Sequence, residues 1–215
     1  MKIGVFGTGI VGQTLAARLV QLGHEVCMGA RNSDNEKAAG FAKTHAPKGT
    51  SGTFGDAASF GELLINCTNG AGALEALKAA GDANMAGKVL IDISNPLDFS
   101  KGMPPSLLTP STDSLGEQIQ RTFPKTQVVK SLNTVTAKLM VEPASLASAN
   151  HDMFMAGNDA GAKGKVKELL QSFGWRHIID VGDITGARGL EMYLPLWVRL
   201  YGTFQTAMFN VKVTR

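Results

Sequence analysis

Residues 2–32 read KIGVFGTGIVGQTLAARLVQLGHEVCMGARN, and the order of pattern within them decides the fold. KIGVF has strand character and runs straight into Gly7, Gly9 and Gly12; apolar residues at helical spacing then continue from Val11 to Leu22, where Gly23 stops them. EVCMG follows as a second strand. A GxGxxG turn between a strand and a helix predicts a dinucleotide-binding βαβ unit, because each glycine has a physical task there. Gly7 permits the tight turn, Gly9 lets the backbone approach a pyrophosphate, and Gly12 lets helix and strand pack closely. The helix N-terminus supplies unpaired N–H groups and partial positive charge to the same spot.

The residue after the second strand chooses between two dinucleotides. Roughly 20 residues beyond the glycine turn, a NAD-selective unit places an Asp or Glu on the ribose 2′-OH. Arg31 stands there instead, followed by the short polar donors Asn32, Ser33 and Asn35. A guanidinium donates a bidentate pair to a 2′-phosphate and stacks on adenine, so NADP(H) is the expected cofactor. The bland alternative is a solvated surface arginine, and Asp34 is the acid that a loop could swing inward against the preference.

Outward from this unit, strand and helix patterns alternate. Helix is expected from Asn35 to about His45, a weak strand near TSGTF (50–54), a short turn capped by Asp56, strand at LLINC (63–67), helix at ALEALKAA (73–80) and strand at KVLIDI (88–93). A loop rich in Pro and Ser (95–113) precedes helix SLGEQIQRTF (114–123) and strand QVVKSL (127–132). Strands at DMFMAG (152–157) and RHIIDVG (176–182) flank a helix that begins near Asp159 and closes at Gly174. The expected class is α/β, a Rossmann-type doubly wound, mostly parallel sheet with a small C-terminal α/β extension. The dinucleotide domain takes residues 1–135; residues 136–215 pack on it, too few for an all-helical substrate domain, so the second substrate must lie in a shallow cleft against the cofactor. By the rule that ligands sit beyond the carboxyl ends of parallel strands, Cys67 and Thr68, then Ser94, Asn95 and Pro96, then Asn133 and Thr134 should line the nicotinamide pocket. NPL and NT are also ordinary turn and cap chemistry.

Composition bounds the rest. With 215 residues, 44% of them hydrophobic, the chain can bury a sizeable core. A net charge of +3, spread without a basic block, favours a small anionic ligand over nucleic acid. Cys27 and Cys67 fall inside apolar runs and read as buried thiols of a reducing compartment, and the N-terminus carries no export pattern, so the cytoplasm is expected. The four histidines lack ligand spacing, and no metal is expected. Segment 190–209, LEMYLPLWVRLYGTFQTAMF, is apolar, but Glu191, Pro195 and Arg199 interrupt it, and Tyr193, Trp197, Leu200, Tyr201, Phe204 and Met208 recur at helical spacing. An amphipathic helix outside any membrane is expected, as core, as the interface of a homodimer, or as cover for a cofactor.

GTGIVGQTLAARLVQLGHEVCMGARN, VLIDISNPL, VVKSLNTVTA and DVGDITGARGLEMYLPL, in this order across nearly the whole chain, together resemble the NADPH-dependent reductases of the deazaflavin coenzyme F420; the cytoplasmic reductase domain of STEAP metalloreductases is similar as well. The run from Gly182 through Arg188, Glu191 and Pro195 is the most discriminating part. The resemblance implies a cytoplasmic NADP(H)-dependent oxidoreductase passing hydride to F420 or a flavin (FMN or FAD). It places Thr8, Gly9, Ile10 and Val11 at the pyrophosphate, Arg31 and its neighbours at the 2′-phosphate, and Ala137 in the nicotinamide pocket. Where the family usually has Ser before that arginine, this chain has Ala30, one hydroxyl donor fewer unless Asn32 or Ser33 compensates.

No acid–base pair is evident where the cofactor reacts, so no catalytic side chain is assigned: hydride transfer to a planar ring needs stacking and close approach more than a proton donor. The same absence fits an NADP(H)-binding sensor or partner subunit without turnover. An electron-delivering flavin reductase is a third reading. A dehydrogenase of a small hydroxy acid or imine is a fourth, and would need an acid such as Lys138. Arg188 and Glu191, three apart, either pair on a helix face or meet a ligand.

Overall fold

The computed structural model describes residues 1–215. Along the chain run β1 (Lys2–Phe6), α1 (Ile10–Gln21), β2 (Glu25–Ala30), α2 (Glu36–Thr44), β3 (Gly49–Thr53), α3 (Phe54–Phe60), β4 (Leu63–Asn66), α4 (Ala73–Ala80), α5 (Asp82–Met85), β5 (Val89–Asp92), β6 (Leu97–Asp98), β7 (Ser106–Leu107), α6 (Leu115–Thr122), β8 (Gln127–Ser131), α7 (Ala137–Val141), β9 (Asp152–Gly157), α8 (Ala160–Phe173), β10 (His177–Asp180), α9 (Ala187–Met192) and α10 (Leu194–Phe204). Eight strands form one sheet in the order β10-β9-β8-β5-β4-β1-β2-β3. The doubly wound α/β reading holds, with β1 to β5 and β8 all parallel.

Side-chain alternation builds a core on each face. Ile3, Val5, Ile65, Ile91 and Val129 point to the face covered by α1, α7 and α8; Phe6, Leu64, Leu90 and Val128 point to the face covered by α3, α4 and α6. β4 and β5 are buried at every position, which is why LLIN and VLID read as continuous rather than alternating runs.

Four details depart from the expected pattern. β9 runs antiparallel to β8, and β10 parallel to β9, so the last two strands extend the sheet in reverse. The Pro- and Ser-rich loop contains the small antiparallel pair β6 and β7. Thr53, not Asp56, is the N-cap of α3; Asp56 answers it as the third residue of a capping box. Segment 190–209 is not one helix: α9 ends at Met192, α10 at Phe204, and Gln205 turns into the left-handed region at φ 52°. Of α10 only Leu194 is buried, whereas Leu196, Tyr201 and Phe204 are about half exposed. The tail folds back, with Phe209 on Trp197 at 5.2 Å and the Asp152 N–H donating to the Val211 carbonyl at 3.1 Å. No helix is long and apolar enough to cross a membrane.

Candidate active site

The chain leaves β1 toward β2 on one side and returns to β4 on the other, so the sheet has its topological switch point between β1 and β4, where an open α/β sheet offers a crevice. The glycine turn sits at its mouth. Gly7 has φ +110°, and a Cβ there would come within 2.8 Å of the Cys67 carbonyl; a Cβ on Gly12 would lie 2.1 Å from the Gly7 carbonyl. Both are forced by the chain's own backbone. Gly9 is different: a Cβ there meets nothing within 4 Å. It is the N-cap of α1, no side chain caps the helix, and the first outward bond is Gln13 N–H to the Gly9 carbonyl at 2.9 Å. Open space in front of free helix N–H groups fits a pyrophosphate.

From this turn a cleft of ≈ 540 Å³ runs across the carboxyl ends of β4, β5 and β8 to α10. Ile10 and Val11 line one end, and Leu194, Trp197 and Tyr201 the other, with the Trp197 and Tyr201 rings stacked at 5.8 Å. Cys67, Thr68, Asn95, Asn133 and Ala137 also line it. Asn69, Phe99, Met103 and Met140 join them unforeseen, two of them from the loop that follows β6. No Asp, Glu, Lys, Arg or His lines the cleft; its ionisable side chains are Cys67 and Tyr201. Burial pushes the Cys67 thiol up, and the charge of Asp92 adds to the effect, so this thiol stays protonated.

Not every expected residue reaches the cleft. Ser94 and Thr134 are buried beneath it, and Pro96 lines a separate recess beside Leu115 and Gln118. The strand ends alternate in direction, so Ile93 and Asn95 face the cleft while Asp92 and Ser94 face the protein. Thr8 and Gly9 line an adjoining recess with Gln13 and Lys37. Ala30 is packed in the core and offers only its backbone; Arg31, Asn32 and Ser33 are exposed directly after β2, and no acid, Asp34 included, forms an ion pair with Arg31. Asn35 spends its carboxamide oxygen capping α2 through the Ala38 N–H at 3.1 Å. Lys138 is exposed outside the cleft lining.

Beneath the cleft lies a polar network that the sequence reading missed. Lys130, fully buried, donates to Asp92 at 2.8 Å, to Glu191 at 2.9 Å and to the Ser94 carbonyl. Asp92 also accepts from Asn66 Nδ2 at 2.8 Å and from the Ser94 hydroxyl at 2.7 Å. Glu191 accepts the Leu115 and Gly116 N–H groups at 2.8 and 3.0 Å, at the N-terminus of α6. Burial alone would lower the Lys130 pKa, but the two carboxylates outweigh it and hold the ammonium charged. Arg188 and Glu191 therefore do not pair with each other. Arg188 binds Glu117 through two nitrogens at 2.8 and 2.6 Å, because bidentate tertiary partners outcompete a weak i,i+3 contact. Asn133 Nδ2 donates to Asn95 Oδ1 and to the Leu190 carbonyl, both at 3.0 Å, which leaves its Oδ1 buried and unpaired at the cleft.

Comparison with known proteins puts this geometry in a family. Residues 2–96 match the family described as NADP oxidoreductase, coenzyme F420-dependent. A crystal structure from Arthrobacter sp. FB24, provisionally named an F420-dependent NADP reductase, is 52% identical and superposes with TM-score 0.96, covering 100% of both chains. The chain belongs to the F420-dependent NADP oxidoreductase family. Membership makes it an NADP-linked oxidoreductase. The F420-dependent NADP reductase of Methanocaldococcus jannaschii is 26% identical over 223 residues, covering 100% of this chain and 98% of that protein. Rat Metalloreductase STEAP3 is 28% identical over 200 residues, 91% of this chain but only 38% of STEAP3.

Proposed function

We propose that the protein transfers a hydride between NADPH and a planar deazaflavin or flavin ring, with coenzyme F420 as the first choice of acceptor. The observation that carries this reading is a single cleft that joins an uncapped helix N-terminus to an aromatic wall with no charged side chain between them. NADPH, when bound, would supply a proton and two electrons together, as hydride, from its nicotinamide ring. The backbone from Gly7 to Gly12 holds the pyrophosphate, and Arg31 with Asn32 and Ser33 grips the 2′-phosphate. Cys67, Thr68, Asn95, Asn133 and Ala137 bound the nicotinamide. The unpaired Asn133 Oδ1 is an acceptor suited to the carboxamide N–H of the nicotinamide or a ring N–H of the deazaflavin, since both protons of its own amide are already engaged. Leu194, Trp197 and Tyr201 give the acceptor an apolar face and exclude water, so the chain's contribution to rate is positioning.

In this reading residues 1–135 form the nucleotide-binding domain, and residues 136–215 complete the acceptor side. The half-exposed apolar residues of α10 seat a second copy in a homodimer, and two free thiols suit the cytoplasm. Stopped-flow absorbance with NADPH and F420, FMN or FAD offered separately is the test. Rapid NADPH oxidation with F420 is expected. Reduction of FMN or FAD alone would move the assignment to a flavin reductase. Tight NADPH binding without oxidation by any of the three would contradict catalysis and favour a sensor.

A further inference from the structure

The Asp92–Lys130–Glu191 cluster is formally unbalanced. Two carboxylates face one ammonium, so one negative charge remains, and all three side chains are essentially fully buried. The surrounding groups do not cancel it. The α6 amides of Leu115 and Gly116 share the Glu191 charge as dipoles, Asn66 and Ser94 are neutral donors to Asp92, and Arg188 is matched by Glu117. The cluster is separated from the cleft by one layer of chain: Ile93 and Asn95 line the cleft while Asp92 and Ser94 between and beside them face the cluster, and Asn133 ties its amide to the carbonyl of Leu190, the residue before Glu191. Charge held in a dry interior is little screened, and the Asp92 charge already acts on the thiol of Cys67 in the cleft lining.

A nicotinamide ring is cationic when oxidised and neutral when reduced. We infer that the buried Asp92–Lys130–Glu191 cluster is an electrostatic positioning element that favours the oxidised, cationic ring over the reduced one in the cleft, and so biases the protein toward releasing hydride from NADPH. This rests on NADP(H) occupying the cleft as proposed above. No bond forms or breaks at the cluster; it shifts the relative affinity of two redox states.

The test is equilibrium binding of NADP+ and of NADPH to the full chain by calorimetry, for the unaltered protein, for Glu191→Gln, and for the neutral cluster Asp92→Asn/Lys130→Met/Glu191→Gln. Both variants bring the cluster to zero charge. The ratio Kd(NADP+)/Kd(NADPH) is expected to rise about three- to tenfold in each. Damage to packing alone weakens both nucleotides together and leaves the ratio where it was, so an unchanged ratio overturns the inference. If Glu191→Gln does not fold, the neutral cluster decides, because replacing a buried ion set as a whole strands no lone charge. Failure of the unaltered protein to bind either nucleotide would overturn the cofactor reading itself, a result distinct from binding both with an unmoved ratio.

Discussion

Arg31 and Lys130 show the two ways one side chain carries information in this chain. The placement of Arg31 was legible because its neighbourhood is local: β2 ends at Ala30 and the next residue is exposed, where the proposed cofactor would present its ribose. Charge-assisted bonds to a phosphate are worth about 1.5–3 kcal/mol, so Arg31→Glu should weaken NADPH about ten- to a hundredfold while leaving NADH unchanged or tighter. Titration calorimetry with the two reduced nucleotides checks this, and equal losses for both would remove the arginine from the 2′-phosphate. Lys130 was not legible by spacing, since its partners lie 38 and 61 positions away. A signal was nevertheless present. QVVKSL puts a lysine inside a strand of a parallel sheet whose faces are both covered, and a charge there requires buried partners.

At the scale of elements, the turns and caps were readable and the tertiary clamps were not. The GxGxxG turn follows from backbone contacts within residues 7–12 and 67. A Gly12→Val side chain collides with the Gly7 carbonyl, at a cost of about 1–3 kcal/mol, which lowers Tm by about 2–4 °C per kcal/mol and weakens NADPH as the turn shifts. Thermal unfolding with and without NADPH measures both. Helix α6 is held to α9 by Glu117–Arg188 and to its own preceding loop by Asp113–Arg121. The Arg188 hydrogen bonds hold the Glu117 carboxyl below its ordinary range, and those of Arg121 lower Asp113 to about 2. Carboxyls depressed in the folded state stabilise it fully above their ordinary pKa and lose that contribution as pH falls toward the folded value. Tm should therefore decline between about pH 4.5 and about pH 2, and Glu117→Gln should flatten part of that decline. A parallel acid profile in the variant would mean the clamp contributes nothing. Sequence spacing left Arg188 and Glu191 either to pair or to meet a ligand; only the approach of α6 to α9 shows that each has a protein partner elsewhere.

The whole molecule was legible as a class because hydrophobic runs, turns and their order are local facts. The reversed direction of β9 and β10 was not, since nothing in DMFMAG or HIID states which way a strand enters a sheet. The junction of α9 and α10 falls at Tyr193, where Pro195 lacks the N–H to continue the ladder, and α10 ends separately at Gln205 in the left-handed region, after which the tail packs on Trp197. If α10 joins two copies, Leu196→Glu with Phe204→Glu should convert a dimer to a monomer in light scattering, and a monomeric unaltered protein would remove the interface. In the proposed reaction hydride passes directly from one ring to the other within one cleft. The most direct measurement of this transfer uses NADPH deuterated at the transferred position of the nicotinamide, with F420 as acceptor in ordinary water, because a deazaflavin has carbon where a flavin has nitrogen and keeps the label. Mass spectrometry is predicted to find one deuterium on the reduced deazaflavin; reduced product without deuterium, or no reduced product, would contradict the account.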